Sequence, residues 1–420
     1  MTENLSVSDV LLVPIQGAFF YDDQLAIREG TAIDGFTYKG KARTPGFSSI
    51  RMPAGALSVG LILSDGTIVW GDMMSVQYAG AGGRDAVFQT DAIMELTNRV
   101  VVPRLKGLSV ASFVDACSAS LKVDGERLPL AVSYGLSQAL LQATAHTYRC
   151  TMAEIICREF NLPVSERPVP LYAQSGDQRH INVDKMVLRR VDVLPHGLIN
   201  SREKFGPKGE TFLEFAKWVA KRVRILGGEE YIPALHFDVY GLVGSEIGLS
   251  PVDIGDFIAR AADSVSPFQL SLESPVDYGS AKLQLDGYVE IVQQLERLGS
   301  SARIVVDEHC NTIDDIENFA KCRAAHMIHI KAPDVGSIAD IVQGVLHCKA
   351  HCVGAFLGGS CVETDLSARV STNVAVATQA DMMLAKPGMG VDEGISIVGN
   401  EQNRLLRTLR AAQVRSSKHG

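Results

Sequence analysis

Four stretches of this chain decide its fold: ALHFDVYG at 234–241, QLSLESP at 269–275, ARIVVDEH at 302–309 and MIHIKAP at 327–333. In each of them an apolar run of strand type ends at a charged residue, and these residues are Asp238, Glu273, Asp307 and Lys331. The intervals between them suit one strand plus one helix, which is the repeating unit of a parallel α/β fold. The pattern therefore predicts that four charged side chains meet at one end of a parallel sheet.

Strand-like runs of the same kind occur on both sides of these four: PLYAQSGD at 170–177, DVLPHGLIN at 192–200, HCVGAFLGG at 351–359 and DMMLAKPG at 381–388. Amphipathic segments with helical spacing, such as TFLEFAKWVAKRVRIL, lie between the runs. Eight such units predict a closed (β/α)8 barrel over residues 161–420. Because the C-terminal strand ends of such barrels carry the catalytic groups, we expect an enzyme.

The first 160 residues mix strand-like and helical patterns, which predicts an α+β domain that caps the barrel. The run SVGLILSDGTIVWGD at 58–72 has Asp-Gly between two apolar segments, as is typical of a β-hairpin. The stretch 133–160 has the apolar spacing of two helices, and the proline-rich stretch 161–170 marks the domain boundary. The glycine-rich run YAGAGGRD at 78–85 lacks the Lys-Ser/Thr of a phosphate loop, so we interpret it as a mobile flap over the site.

Composition narrows the class of protein. The chain has 420 residues, of which 46% are hydrophobic and 21% charged, and this suits a soluble globular protein with a large core. The formal net charge of −8 argues against nucleic acid as a partner and favours a small-molecule substrate. No apolar run approaches the roughly 20 residues that a membrane span needs, and the start has no signal-peptide pattern. We therefore expect a cytoplasmic protein with no membrane partner.

Three carboxylates at one barrel mouth indicate a metal site. Asp238, Glu273 and Asp307 would repel one another unless a cation lay between them, and Mg²⁺ is a hard ion that prefers oxygen ligands. The alternative is that each carboxylate forms an unrelated salt bridge at a loop entrance. Three carboxylates in succession, followed by a lysine, favour the metal site.

Two residues are candidate bases. Lys331 is either a salt-bridged amine or, when desolvated beside a cation, a neutral base that removes a proton α to a carboxylate. The metal would then stabilise the developing charge. His196, at the end of the second strand, is a second candidate base across the mouth, or a histidine of the barrel wall. Gln174, Ser360 and Cys361 offer donors for a substrate carboxylate, or serve turns and caps.

Longer motifs connect this sequence to a known family. They are FFYDDQLAIREG and DGFTYKG in the cap, VQYAGAGGRD, YAQSGD, INVDKM and DVLPHGLIN further on, and AKPGMGVDEG and NEQNR near the end of the chain. These motifs resemble those of the methylaspartate ammonia-lyases, within the enolase superfamily. The resemblance implies deamination of (2S,3S)-3-methylaspartate to mesaconate and ammonia, with Mg²⁺ and a monovalent cation such as K⁺. It also implies a homodimer that takes part in amino-acid degradation, in glutamate catabolism through mesaconate.

The resemblance further implies roles for individual residues. Asp238, Glu273 and Asp307 match the metal ligands of the family. Lys331 matches its (S)-specific base, and His196 matches the base on the opposite face. Residues that would contact the substrate fall on five positions: Gln174, His196, His329, Ser360 and Cys361.

Some positions depart from the family pattern. His329 stands where the family commonly has a glutamine whose amide contacts the substrate carboxylate, and an imidazole there would still donate one hydrogen bond. The other departures are Ser360 for threonine, Phe356 for tyrosine, Tyr172 for phenylalanine, Val362 for asparagine and Ser274 for glycine. These changes leave substrate preference open. A lyase for another aspartate analogue, an amino-acid or hydroxy-acid racemase or epimerase, and a non-catalytic binding relative remain as alternatives.

Overall fold

The structure, a computed structural model, describes residues 4–28, 30–78, 84–123 and 125–419. The glycine-rich run that we interpret as a flap falls mainly on residues 79–83, which lie outside the described residues. Within the described ranges, no helix is both long enough and apolar enough to cross a membrane.

The cap strands are β1 (Val7–Asp22), β2 (Ile33–Asp34), β3 (Thr37–Tyr38), β4 (Arg51–Leu63), β5 (Ile68–Met73), β6 (Lys122–Val123) and β7 (Glu126–Arg127). β1, β4 and β5 form an antiparallel sheet in that order. The predicted hairpin is confirmed, because β4 pairs with β5 across a tight turn. In that turn Asp65 Oδ1 accepts the Thr67 N–H at 2.9 Å, and Gly66 has a φ of +85°, a conformation that favours glycine.

The cap helices are α1 (Gln24–Arg28), α2 (Thr90–Leu96), α3 (Val102–Leu105), α4 (Phe113–Ser120), α5 (Leu130–Tyr148) and α6 (Met152–Glu159). α5 and α6 confirm the two helices predicted for 133–160. α5 lies so close to β5 that a Cβ at Gly71 would collide with the Gly135 carbonyl, and therefore only glycine fits there. This helix is buried between the cap sheet and the barrel.

The barrel strands are β8 (Leu171–Tyr172), β9 (Val193–His196), β10 (Ala234–Asp238), β11 (Leu270–Glu273), β12 (Arg303–Val306), β13 (Met327–Ile330), β14 (Gly354–Leu357) and β15 (Met382–Leu384). They pair in parallel in chain order, and β15 pairs with β8 to close the barrel. Each of the eight predicted runs forms one of these strands. The predicted (β/α)8 barrel is thus confirmed.

The remaining helices are α7 (Arg179–Leu188), α8 (Arg202–Phe205), α9 (Glu210–Arg222), α10 (Leu242–Ile247), α11 (Pro251–Val265), α12 (Ala281–Arg297), α13 (Ile313–Cys322), α14 (Ala332–Val335), α15 (Ile338–Ala350), α16 (Asp365–Thr378), α17 (Val391–Gly394) and α18 (Asn400–His419). Local sequence explains where several of them begin. At α13, Thr312 Oγ1 accepts the Asp315 N–H at 3.1 Å, and the Asp315 carboxylate accepts the Thr312 N–H at 3.0 Å, which forms a capping box.

The register of the barrel strands sets the height of the charged groups. β10 and β11 pair so that Asp238 lies opposite Glu273 at the C-terminal ends of the two strands. Hydrophobic side chains of the barrel strands form a cluster of their own: Tyr172, Val193, Val305, Met327, Phe356, Met382 and Leu384. Tyr172, Phe356 and Leu384 of this cluster also line the cavity at the mouth. The charged groups are therefore confined to the mouth, on the side that the cap covers.

Candidate active site

The barrel mouth brings together all of the site residues that the sequence predicts. They line one cavity of about 520 Å³, counting its open mouth. The predicted residues on its wall are Gln174, His196, Asp238, Glu273, Asp307, His329, Lys331, Ser360 and Cys361. Because these residues come from seven different strand ends or the loops that follow them, only the closed barrel places them together.

Glu273 is held by two imidazoles inside the barrel. His236 Nε2 lies 2.7 Å from Glu273 Oε2, and His329 Nδ1 lies 2.7 Å from Glu273 Oε1. Burial alone would raise the pKa of Glu273, but His329 and His236 outweigh burial and hold that pKa well below its usual range. Glu273 is therefore a carboxylate anion fixed in one orientation.

Asp307 is shared between a barrel lysine and a cap arginine. Lys331 Nζ lies 2.8 Å from Asp307 Oδ2, and Arg84 Nη2 lies 2.9 Å from Asp307 Oδ1. Burial would raise the pKa of Asp307, but Lys331 and Arg84 lower it further than burial raises it. Arg84 also pairs with Asp334 at 2.7 Å and with Glu308, so this cap residue lies buried among barrel carboxylates.

The charge of Lys331 depends on the same carboxylates. Burial and the neighbouring Arg84 lower the pKa of Lys331, but Asp307, Glu308 and Asp334 outweigh them, and the net shift is upward. From the sequence, Lys331 is either a salt-bridged amine or a neutral base beside a cation. A cation bound to Asp307 would offset the attraction that keeps the lysine protonated.

Asp238 has a different environment from the other two carboxylates. Its Oδ1 accepts the Tyr240 N–H at 3.2 Å, and its Oδ2 lies 3.5 Å from His196 Nε2. Burial raises its pKa well above the usual value, and the negative charges of Glu273 and Asp307 raise it further. Asp238 is thus the carboxylate whose charge is least compensated by the residues around it.

The donor set fits a hard divalent cation. One ligand atom from each of Glu273, Asp307 and His329 lies within 4.8 Å of the others. The predicted set has Asp238 in place of His329, and the Asp238 side chain turns toward the Tyr240 amide and the His196 ring. Carboxylate oxygens are the ligands that Mg²⁺ prefers. The pKa of Asp238 is raised in part because Glu273 and Asp307 repel its charge, and a bound cation would relieve that repulsion.

His196 lies at the end of β9 with a φ of +66°. The Leu198 N–H donates to its Nδ1 at 3.2 Å, which leaves Nε2 on the side of Asp238. Burial is the main cause that lowers the pKa of His196 to about 4, and positive neighbours lower it further. The ring is therefore neutral near pH 7, and because Nδ1 accepts the Leu198 N–H, its proton lies on Nε2 in this arrangement.

His329 directs both ring nitrogens at the protein. Nδ1 faces Glu273, and Nε2 accepts the Gly359 N–H at 3.3 Å. The ring also stacks on Phe356, with 4.2 Å between centroids and 29° between planes. Since both nitrogens already have partners, the imidazole has no spare donor for a substrate in this arrangement.

Several residues with no site role predicted from the sequence lie at the mouth. Gln77, Tyr78, Tyr240 and Leu384 line the cavity, and Arg84 reaches its carboxylates from the cap. Gln77, Tyr78 and Arg84 belong to the VQYAGAGGRD motif that carries the family resemblance, and Tyr78 and Arg84 also lie in the run YAGAGGRD that we interpret as a flap. Leu384 ends the eighth barrel strand, and this position is the sequence signal that could have identified it as a residue of the mouth.

Comparisons with known proteins agree with this geometry. The chain is 45% identical over 417 residues to methylaspartate ammonia-lyase 1 of Carboxydothermus hydrogenoformans, with 99% of each chain covered. A crystal structure of Citrobacter amalonaticus methylaspartate ammonia lyase containing (2S,3S)-3-methylaspartic acid superposes with a TM-score of 0.94 at 43% identity. That match covers 96% of this chain and 100% of the other.

A magnesium complex of the corresponding Clostridium tetanomorphum enzyme, β-methylaspartase, gives a TM-score of 0.91 at 41% identity, covering 97% of this chain and 100% of that one. Muconate lactonizing enzyme from Pseudomonas fluorescens shares the fold alone, with a TM-score of 0.61 at 16% identity over 90% of this chain and 85% of that one. Family models for the methylaspartate ammonia-lyase N-terminus and C-terminus match residues 5–161 and 163–411. On these matches, which span nearly its whole length, the chain belongs to the methylaspartate ammonia-lyase family.

Proposed function

We propose that this protein is a carbon–nitrogen lyase that reversibly eliminates ammonia from (2S,3S)-3-methylaspartate to give mesaconate. The observation that carries the proposal is the contact between Lys331 and Asp307, with Nζ 2.8 Å from Oδ2, inside the buried acidic cavity. A lysine base beside carboxylates that suit a divalent cation is the arrangement needed to remove a proton α to a carboxylate. The similarity to a relative crystallised with (2S,3S)-3-methylaspartic acid supports the choice of substrate.

In the proposed reaction Lys331 takes the proton from C3. The electron pair of the broken C3–H bond forms the C2–C3 double bond, and the C2–N bond breaks so that its pair leaves with ammonia. Asp238, Glu273 and Asp307 would hold Mg²⁺, which supplies a positive charge that stabilises the negative charge developing on the substrate carboxylate. His329 and His236 keep Glu273 ionised and oriented for this role.

Other residues would bind and orient the substrate. Gln174, Ser360 and Cys361 lie on the cavity wall, where they would contact a substrate carboxylate. His196, neutral and on the same wall, would serve as the base for substrate with the opposite configuration at C3. His329 would act on the substrate mainly through Glu273 and Gly359, because its ring nitrogens face those groups.

The proposal extends to the cellular setting and assembly. We assign a second, monovalent cation such as K⁺, a homodimeric assembly and a cytoplasmic location. We divide the chain into a cap of residues 1–160 and a catalytic barrel of 161–420. The reaction would belong to amino-acid degradation, in glutamate catabolism through mesaconate.

Ultraviolet absorbance tests the function directly. Purified protein with Mg²⁺, K⁺ and threo-3-methylaspartate should give growing absorbance of a conjugated alkene, and EDTA should abolish that growth. Loss of ammonia creates such an alkene, whereas epimerisation creates none. Folded wild-type protein that inverts a stereocentre without forming alkene would overturn the lyase and indicate the epimerase alternative.

A further inference from the structure

We propose that the buried ion pair of Glu363 and Lys386 positions the loop Gly358–Cys361 for substrate, and that Tyr134 of the cap holds this pair in place. The inference rests on the proposed function and deepens it. It identifies three positioning residues that act through Ser360 and Cys361, the two loop residues that would contact a substrate carboxylate.

The ion pair is buried beside the active-site cavity but does not line it. Lys386 Nζ lies 2.8 Å from Glu363 Oε2, and the two side chains are 1% and 0% exposed. Lys386 follows β15, and Glu363 lies just before α16. Removing two charges from water is unfavourable, so a buried pair is weak evidence for added stability. A role in fixing local conformation is the better explanation.

The loop is hydrogen-bonded to this pair at both ends. Lys386 Nζ donates to the Gly358 carbonyl at 2.9 Å, and Glu363 Oε2 accepts the Ser360 N–H at 2.8 Å. Between them Gly359 has a φ of +153°, and a Cβ there would collide with the Glu363 carboxylate and the Lys386 ammonium. The backbone therefore curves around the two charged groups, which sets the direction of the side chains at 360 and 361.

Tyr134 connects the same pair to the cap. Its hydroxyl, on buried helix α5, donates to Glu363 Oε1 at 2.6 Å. Glu363 Oε1 therefore accepts a hydrogen bond from the cap, and Glu363 Oε2 accepts one from the loop. A second cap segment contacts the loop directly, since the Gln77 N–H donates to Ser360 Oγ at 2.9 Å. Cap and loop are therefore fixed relative to each other at the substrate's position.

The expected consequence is a selective effect on substrate binding. Contacts to a substrate carboxylate exist before and during the reaction, so misplacing them raises KM more than it lowers kcat. The metal ligands lie on β10, β11 and the residue after β12, on the other side of the mouth. The loop reaches these ligands only indirectly, through His329 between Gly359 and Glu273. Disturbing the loop should therefore change KM for the substrate more than it changes the Mg²⁺ requirement.

Two variants disturb the ion pair, and a third variant serves as a control. Glu363→Gln combined with Lys386→Met removes both charges together, because removing one would leave the other buried and unpaired. Tyr134→Phe removes only the hydroxyl. The matched control is Ser137→Ala on the same helix, where Ser137 Oγ accepts the Ile338 N–H at 2.9 Å and donates to the Tyr134 carbonyl at 3.0 Å. This variant removes hydrogen bonds of the same helix but leaves the Tyr134 hydroxyl and the Glu363–Lys386 pair in place.

The measurements are KM and kcat for threo-3-methylaspartate, the melting temperature, and amide hydrogen exchange in the peptide that contains Ser360. We expect KM to rise about tenfold in the double variant and about threefold in Tyr134→Phe, the range for one or two lost hydrogen bonds. We expect kcat to change by less than about threefold. Exchange in the loop should be faster in both variants. Ser137→Ala should lower the melting temperature without changing KM or loop exchange.

Three results would overturn the inference. They are a wild-type KM in Tyr134→Phe, wild-type loop exchange in Tyr134→Phe, and an equal rise in KM in Ser137→Ala. If the double variant does not fold, the comparison of the two single variants decides. Failure of the wild type to form alkene would remove the proposed function alone, because loop exchange in Tyr134→Phe and Ser137→Ala still tests the positioning role.

Discussion

The two halves of the barrel mouth are built in different ways. In the half formed by β10–β13, charged side chains lie at or next to strand ends and pair with other side chains, as Glu273 does with two histidines. In the half formed by β14, β15, β8 and β9, the main feature is the loop Gly358–Cys361, whose backbone is held by Glu363 and Lys386. One half of the mouth therefore supplies charged side chains, and the other half supplies a backbone loop of fixed conformation.

The largest expected effect lies in the charged half. Lys331→Ala should lower kcat by about a thousandfold, within the range that a general base contributes, because Lys331 is the one amine among the described residues that line the cavity. Alkene absorbance under saturating Mg²⁺ measures the loss. Lys185→Ala is the control, since Lys185 pairs with Asp392 at a half-exposed surface. Undiminished turnover in Lys331→Ala would show that the charged half does not supply the base.

The next effect concerns the metal. Glu273→Gln should weaken Mg²⁺ binding by about a hundredfold, because it removes one anionic ligand and the partner of two imidazoles. Titration calorimetry with Mg²⁺ measures this without turnover. Glu159→Gln is the matched control, since Glu159 accepts the Phe113 and Val114 N–H groups in the cap. Equal Mg²⁺ affinity in Glu273→Gln and wild type would exclude Glu273 as a ligand.

A smaller effect is expected where the two halves meet. His329 links Glu273 in the charged half to Gly359 in the loop. Both ring nitrogens of His329 already have partners, whereas a glutamine in His329→Gln would offer an additional amide donor to the substrate. KM for threo-3-methylaspartate should therefore fall by about two- to tenfold, the value of one hydrogen bond. His236→Gln is the control, because it also loses a bond to Glu273 but does not line the cavity. A raised KM in His329→Gln would mean that the bonds of the ring to Glu273 and Gly359 matter more for substrate binding than an added amide donor does.

The smallest effect lies at the other end of β13, away from the mouth. His326 Nδ1 accepts the Ile304 N–H at 3.2 Å, and burial, with help from Arg303, lowers its pKa. Because the folded-state pKa is below the unfolded value, this contribution to stability is present above about pH 6.5 and is lost as pH falls through the lowered pKa.

The free energy of unfolding of the wild type should therefore fall on acidification by more than that of His326→Gln. The difference should stay below about 1.5 kcal/mol, the value of one hydrogen bond. Urea denaturation at several pH values between about 7.5 and 4.5 measures it, on either side of the ordinary histidine pKa. Parallel pH profiles for the two proteins would contradict the prediction.

The two halves also differ in how far the sequence predicts them. Asp238, Glu273 and Asp307 can be predicted as strand-end carboxylates because a charged residue that ends an apolar run is recognisable in the sequence alone. The eight strands and the cap hairpin were predicted for the same reason, since side-chain periodicity reports local structure directly. The barrel then brings strand ends together whatever the helices between them contain.

Other features could not be read from the pattern. Arg84 lies more than two hundred residues from Asp307 in the chain, yet the two form a buried ion pair. Nothing in the spacing of either residue indicates the other. The orientation of His329 depends on which groups surround its ring, and the role of Glu363 depends on the curvature of a loop.

By itself the sequence determined the order of strands and helices, the barrel, the acidic strand ends and the lysine, because each depends on residue type and local periodicity. Only the tertiary structure decided that Arg84 shares Asp307 with Lys331, that both nitrogens of His329 face the protein, and that Tyr134, Glu363 and Lys386 form one network. The physical reason is that ion pairs and hydrogen bonds require their atoms to lie within about 3 Å, and such proximity arises only when distant segments pack together.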